Sequence, residues 1–285
     1  MTDRPTRGVV AFDNSGTLSR VETELLAVRD DDRFAAPVPE VDPRHRVALA
    51  SLLCEEYTAF DTDAALGTVV DEASVDTRVV LANTEVGEAA ADAAIRRERT
   101  VPARQVTAAV SKLRDRLTGR TARDPSGSGH ETTDTPSPVP VAVQLVVDVD
   151  SGTVQRVVAY TTLPRSAAAE TVTAVRDLGY EVHLVSGDAR TILETVASHT
   201  AIPDGHVHAN QSASDKADTV ATLRRSSGGP VTMVGDYVND RLAFETADTA
   251  VLVSDGADPS PTLAERADTV VSGLGGVRSV LSGEE

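Results

Sequence analysis

The period of the hydrophobic positions changes along this chain. Val9-Val10-Ala11-Phe12 is short, apolar and β-branched, which predicts a fully buried strand over 8–13. Between 20 and 117 the pattern is different. Val47, Leu49, Leu52 and Leu53 predict a helix after Pro43, and Val79-Val80-Leu81 predicts a strand. Residues 85–99 and 103–117 read as helices, the second opening just behind Pro102. The stretch 118–140 is rich in Gly, Ser, Thr, Pro and Asp and reads as a flexible linker or long loop.

Apolar order returns at Val141. Residues 141–149 and 154–161 alternate apolar and polar around Asp150-Ser151-Gly152, the pattern of a β-hairpin. Beyond them the period switches repeatedly. A helix after Pro164 carries Ala168, Val172, Val175 and Leu178 on one face and stops at Gly179. Strands are predicted over 181–185, 231–234, 249–253 and 268–271, and helices over 189–199, 215–225, 239–246 and 260–266, with a short helix last. Strands alternating with helices define an α/β fold, a mostly parallel sheet with helices on both faces. The sheet starts at residue 8, breaks off, and resumes near 141 or 155. That interruption predicts a core of 1–19 and 141–285 with an inserted domain, 20–140, which would sit above the carboxyl edge as a cap.

Composition narrows the function classes. The formal charge of −17 argues against binding a nucleic-acid backbone, which needs basic patches. Lysine occurs only at Lys112 and Lys216 while arginine is plentiful. Few lysines and an acidic surface fit a protein kept soluble in high salt; the alternative is an acidic protein from a GC-rich genome. Cys54 is the sole cysteine, so no intrachain disulfide forms, and no His/Cys cluster has zinc-site spacing. The chain shows no apolar leader and no run long enough to cross a bilayer, which predicts a cytoplasmic protein without membrane partners. Oligomeric state is not legible.

Four segments carry chemistry. The first strand delivers Asp13 to the carboxyl edge of a sheet, where open α/β folds bind ligands, and Asn14-Ser15-Gly16-Thr17 follows as a tight turn. A carboxylate there can attack phosphorus and split a hydrolysis into two steps through an aspartyl-phosphate. Positive charge must then be supplied. Mg2+ suits an oxygen-only site, for which Asp13, Asp236 and the Ser15 backbone carbonyl are the candidates. Ser186 and Gly187 end a second strand, placing a hydroxyl and an amide for a phosphoryl oxygen beside a helix N-terminus. Lys216, near a predicted helix start, would neutralise Asp13 and its phosphate. In Gly235-Asp236-Tyr237-Val238-Asn239-Asp240, Asp236 would bind the metal, Asp240 would hold the lysine and Asn239 would bond phosphate or water. Each segment taken singly has a plainer reading: Asp13 as a turn or helix cap, Asp188 as the cap of the next helix, Lys216 as a surface lysine, Asn239-Asp240 as a capped turn. Paired aspartates at Asp148 and Asp150 are explained by a hairpin turn, and Arg96, Arg97 and Arg99 by a solvated helix face.

In order and spacing the four segments resemble those of the haloacid dehalogenase superfamily, and within it the phosphorylation domain of P-type ATPases. Asp13-Asn14-Ser15-Gly16-Thr17, Ser186-Gly187-Asp188, Lys216 and Asp236-Tyr237-Val238-Asn239-Asp240 carry the likeness, which covers 8–19 and about 155–275. Asn14 stands where the ATPases have lysine, and Tyr237 where they have glycine. No transmembrane helix and no Lys-Gly-Ala nucleotide signature are found, so the likeness is to soluble relatives of the ATPase catalytic domain. It implies a Rossmannoid core with a cap, and a Mg2+-dependent phosphatase acting through phospho-Asp13 on a small phosphate ester or acyl phosphate. Catalytic roles fall to Asp13, Ser15 and Lys216, and phosphate contacts to Thr17, Ser186, Gly187 and Asn239. Most phosphatases of the superfamily have aspartate at the position of Ser15, and serine cannot exchange a proton near neutral pH. An alternative is therefore a regulatory protein that accepts a phosphoryl group on Asp13 and turns it over little.

Overall fold

A computed structural model describes residues 6–34, 38–42, 44–84, 86–121, 139–255 and 261–283. Among these the strands are β1 (Gly8–Phe12), β2 (Ser19–Ala27), β3 (Val47–Leu53), β4 (Asp76–Ala82), β5 (Ala142–Asp148), β6 (Thr153–Pro164), β7 (Tyr180–Val185), β8 (Val207–His208), β9 (Val231–Gly235), β10 (Thr249–Val253) and β11 (Thr269–Val271). The helices are α1 (Leu66–Glu72), α2 (Glu88–Arg97), α3 (Arg104–Thr121), α4 (Ala168–Asp177), α5 (Arg190–Thr200), α6 (Ala213–Ser226), α7 (Arg241–Thr246), α8 (Pro261–Ala264) and α9 (Gly275–Ser282). They divide into two compact units, one of 1–21 with 162–285 and the other of 22–161.

The first unit is built on a six-stranded sheet in the order β11-β10-β9-β1-β7-β8, parallel throughout. Its central strand alternates between two cores, as a strand buried on both faces must. Val10 and Phe12 pack with Val172 and Val175 of α4, Leu193 and Val196 of α5 and Val277 of α9. Val9 and Ala11 pack with Val220 of α6, Phe244 of α7 and Leu263 of α8. Helices therefore cover both faces, and each fully buried Val or Phe of β1 contributes about 1.5–3 kcal/mol. Since all the strands run the same way, Asp13, Ser186 and Asp236, each the residue after its strand, fall at one edge.

The second unit holds a sheet in the order β2-β6-β5-β3-β4, with antiparallel pairing from β6 through β4. Two sequence expectations change here. Residues 47–53 form a strand, not a helix. Ala48, Ala50 and Leu52 enter the core with α1, α2 and α3, while Val47 joins Phe34, Val38 and Val41 in another. Burial on both faces erased the alternation, and the remaining apolar run imitated a helix period. The hairpin β5–β6 pairs with β3, so the second unit reaches Thr161 rather than ending near 140. Strand β2, alternating but largely exposed, was not anticipated. Helix α3 runs on to Thr121, and the remainder of the expected linker lies outside the described residues apart from Val139 and Pro140.

The inserted unit has a polar hub at Glu98. Its carboxylate accepts from the amides of Thr100 (2.7 Å), Val101 (3.1 Å) and Val154 (2.9 Å), from Thr100 Oγ1 (2.7 Å) and from Arg29 Nη2 (2.9 Å). Burial alone would raise its pKa, but these donors outweigh that and hold it at about 2. Arg96 pairs with Asp92 and Asp71 and Arg99 bonds backbone carbonyls, so both serve structure. Asp148 accepts from the amides of Asp150 and Ser151 and closes the β5–β6 turn.

Candidate active site

Asp13 leaves the end of β1 with its amide bonded to Val234 O at 2.8 Å, and is 2% exposed. Its Oδ1 lies 2.7 Å from Lys216 Nζ, which is equally close to Asp240 Oδ1. Lys216 itself is fully buried. It rides on the first turn of α6, whose start is fixed by a capping box: Ser212 Oγ accepts from the Asp215 amide and Asp215 accepts from the Ser212 amide. Burial would lower the Lys216 pKa, but the Asp13 and Asp240 carboxylates outweigh that and raise it above its ordinary value, so the ammonium stays charged.

Asp240 is fixed from three sides, by Lys216 and by the amides of Asp236 (3.1 Å) and Tyr237 (3.3 Å). Gly235 makes room for it, since a Cβ there would stand 2.3 Å from Asp240 Oδ2. Asp236 Oδ1 accepts from Thr17 Oγ1 at 2.9 Å. Gly16, at φ +89°, carries the turn past Asp236, whose Oδ2 would lie 1.9 Å from any added Cβ. Arg165 Nη2 donates to Gly16 O at 2.7 Å and pins the same turn.

Oxygens of Asp13, Asp236 and Asp240 lie within 4.8 Å of one another. Burial, then repulsion by Asp240, pushes Asp236 up to about 7. Burial likewise raises Asp13 well above its usual range, with Lys216 opposing and Asp240, Asp236 and Asp188 adding to the rise. Three carboxylates facing one ammonium form a site short of positive charge, with only oxygen donors. That donor set fits a hard divalent cation.

A second cluster centres on Asp188. Its carboxylate accepts from Asn14 Nδ2 (2.7 Å), Ser15 Oγ (2.8 Å) and Ser186 Oγ (3.0 Å). Asn14 Nδ2 also reaches Thr162 Oγ1 at 3.1 Å. Asp188 does not cap α5, because Ala189 occupies that position. Its role as shared acceptor, and that of Arg165, were missed from sequence. A strand-turn-acid segment followed by a helix gives the same signal as a cap.

The structure thus brings Asp13, Thr17, Lys216, Asp236 and Asp240 into one bonded group and joins Ser15 to Ser186 through Asp188. Gly187 lies beside Ser186. Asn239 lies in the short turn Val238–Asp240, its Oδ1 buried and without a hydrogen-bond partner among the described residues. Tyr237 is 40% exposed. One further group was not foreseen: Glu181, His183 and His206 converge within ligating distance. Zinc-site spacing rules scan local motifs, and these three come from two elements.

The family model of haloacid dehalogenase-like hydrolases matches residues 8–248, and the chain belongs to that family. A probable copper-transporting ATPase, SynA, of Synechococcus elongatus is 37% identical over 95 residues, 33% of this chain and 12% of that protein. The probable cation-transporting ATPase G of Mycobacterium tuberculosis is 37% identical over 109 residues, 38% of this chain and 13% of that protein. The chain therefore matches roughly an eighth of the length of these curated relatives. A zinc-transporting PIB-type ATPase solved in its E2.Pi state is similar over 98% of this chain and 42% of its own, at 18% identity and a TM-score of 0.45. No helix among the described residues is long and apolar enough to cross a membrane.

Proposed function

We propose that this hydrolase is a Mg2+-dependent phosphatase that works through a phosphoryl group carried on Asp13, with a small phosphate ester or acyl phosphate as substrate. The observation that carries the reading is the buried Asp13–Lys216–Asp240 triad set beside Asp236. Asp13, Asp236 and the Ser15 carbonyl are the groups that would hold the metal, which supplies charge neutralisation for the phosphoryl oxygens. In the first step a carboxylate oxygen of Asp13 bonds to phosphorus as the ester oxygen leaves with the electron pair. Lys216 offsets the charge on Asp13 and the phosphoryl group, and the triad fixes the carboxylate before substrate arrives. The Ser186 hydroxyl, the Gly187 amide, Thr17 and Asn239 are assigned to phosphoryl and water contacts around that position. In the second step water attacks phosphorus and restores the Asp13 carboxylate. Substrate choice is assigned to the inserted unit.

A second reading has a specific observation in its favour. Ser15 occupies the position where an acid or base would speed the second step, and its hydroxyl is committed to Asp188. A slow second step would leave phospho-Asp13 long-lived and suit a regulatory switch. Hydrolysis of p-nitrophenyl phosphate with Mg2+ at high salt, beside Asp13→Asn, tests the leading reading: turnover is expected in the parent and abolished in the variant. Turnover that survives Asp13→Asn refutes it, and a parent that accepts label without turnover selects the switch.

A further inference from the structure

Glu181, His183 and His206 form a cluster of ligating side chains that the proposed phosphoryl chemistry does not use. Glu181 and His183 stand two positions apart on β7, so the pleat turns both to one face. They lie away from the carboxyl end of the strand, where Ser186 begins the candidate active site. His206 comes from the short turn Asp204–His206, which leads directly into β8, the edge strand paired with β7. Glu181 Oε1 is 2.8 Å from His183 Nε2 and 3.4 Å from His206 Nε2. The two imidazoles stack with centroids 4.2 Å apart and planes 9° from parallel. Two ring nitrogens and one carboxylate oxygen therefore lie within 4.8 Å of one another, and because the lone pairs of stacked rings run side by side, closing on one ion requires the part-exposed His206 ring to tilt out of the stack.

The surrounding groups orient the rings as ligands. His206 Nδ1 lies 3.1 Å from Val182 O. A carbonyl only accepts, so this nitrogen carries a proton, which leaves Nε2, turned toward Glu181, as the ring's ligating nitrogen. His183 Nδ1 lies 3.1 Å from His208 Nε2, a contact that sets the rotation of the His183 ring. His183 is 7% exposed at its side chain, while Glu181 and His206 are 37% and 30% exposed, which leaves a path from solvent.

We propose that Glu181, His183 and His206 bind one divalent transition-metal ion of the zinc type, with a further coordination position open to water and His208 as a positioning residue for His183. Two imidazole nitrogens and one carboxylate oxygen form a donor set that zinc accepts. Mg2+ prefers oxygen ligands in an octahedral shell, so this site and the aspartate cluster select different ions.

Calorimetric titration of the metal-free 285-residue chain with Zn2+ tests the proposal. One equivalent is expected to bind, His206→Ala and Glu181→Gln are each expected to weaken it at least about 10-fold, and Asp236→Asn is expected to leave it unchanged. Co2+ in place of Zn2+ adds a second readout, a visible d–d spectrum that the two variants lose. Circular dichroism monitors folding, and if His206→Ala misfolds, the more exposed Glu181→Gln carries the comparison. Absence of Zn2+ binding by the parent protein overturns the proposal. So does binding that is unaltered in Glu181→Gln and His206→Ala, or binding that disappears in Asp236→Asn.

Discussion

The Ser15 hydroxyl donates to the Asp188 carboxylate, 2.8 Å from Oδ2 and 3.0 Å from Oδ1. A carboxylate placed at position 15 would therefore face another carboxylate. A carboxylate there can give and take a proton, which a serine hydroxyl cannot do near neutral pH. Ser15→Asp is expected to speed decay of phospho-Asp13 by roughly 10²-fold or more. Single-turnover decay of labelled protein measures it, and an unchanged or slower rate counts against this account of Ser15.

Asp188 is the shared acceptor of Asn14, Ser15 and Ser186. Asp188→Ala removes that shared acceptor and leaves buried donors unpaired, at a cost of about 1–3 kcal/mol. Lower urea resistance together with a reduced kcat is expected, because Asn14 and Ser15 lie next to and two residues from the proposed nucleophile. Urea resistance and kcat both equal to those of the parent would contradict it.

Lys216 separates two buried carboxylates. Among the described residues Lys216 is the only cation bonded to them, so Lys216→Met leaves uncompensated charge, which destabilises by about 3–5 kcal/mol. Activity is expected to fall at least ~10²-fold, since the same ammonium offsets charge at Asp13. Equilibrium unfolding and turnover, measured on the same preparation, check both halves. A stable and active Lys216→Met would contradict the triad.

Glu98 provides a pH prediction independent of catalysis. Its folded pKa, about 2, lies below its ordinary value of 4.5. The stability it contributes is therefore fully present above pH ~4.5 and lost as pH falls toward ~2, on the order of 2 kcal/mol. Unfolding of the parent should become easier across that window, and Glu98→Gln should flatten the dependence. Identical acid profiles for the two proteins would refute the assignment.

The parallel sheet was legible because its strands are short apolar runs punctuated by turn residues, and because β1 feeds both cores through alternate side chains. The aspartates and Lys216 were legible because each follows a strand or opens a helix. Residues 47–53 misled, since burial on two faces removes the alternation that marks a strand. Asp188, Arg165 and the Glu181–His183–His206 group were hidden for a different reason. Each depends on at least one partner distant in sequence, and no local spacing encodes which distant side chains will meet.

The most direct measurement is covalent trapping. The protein is mixed with a phosphorus-labelled acyl phosphate and Mg2+, quenched in acid, digested and mapped. The account predicts hydroxylamine-sensitive label on the peptide that contains Asp13, and none in Asp13→Asn. Hydrolysis that proceeds with no label on that peptide, or label that persists in Asp13→Asn, would contradict it.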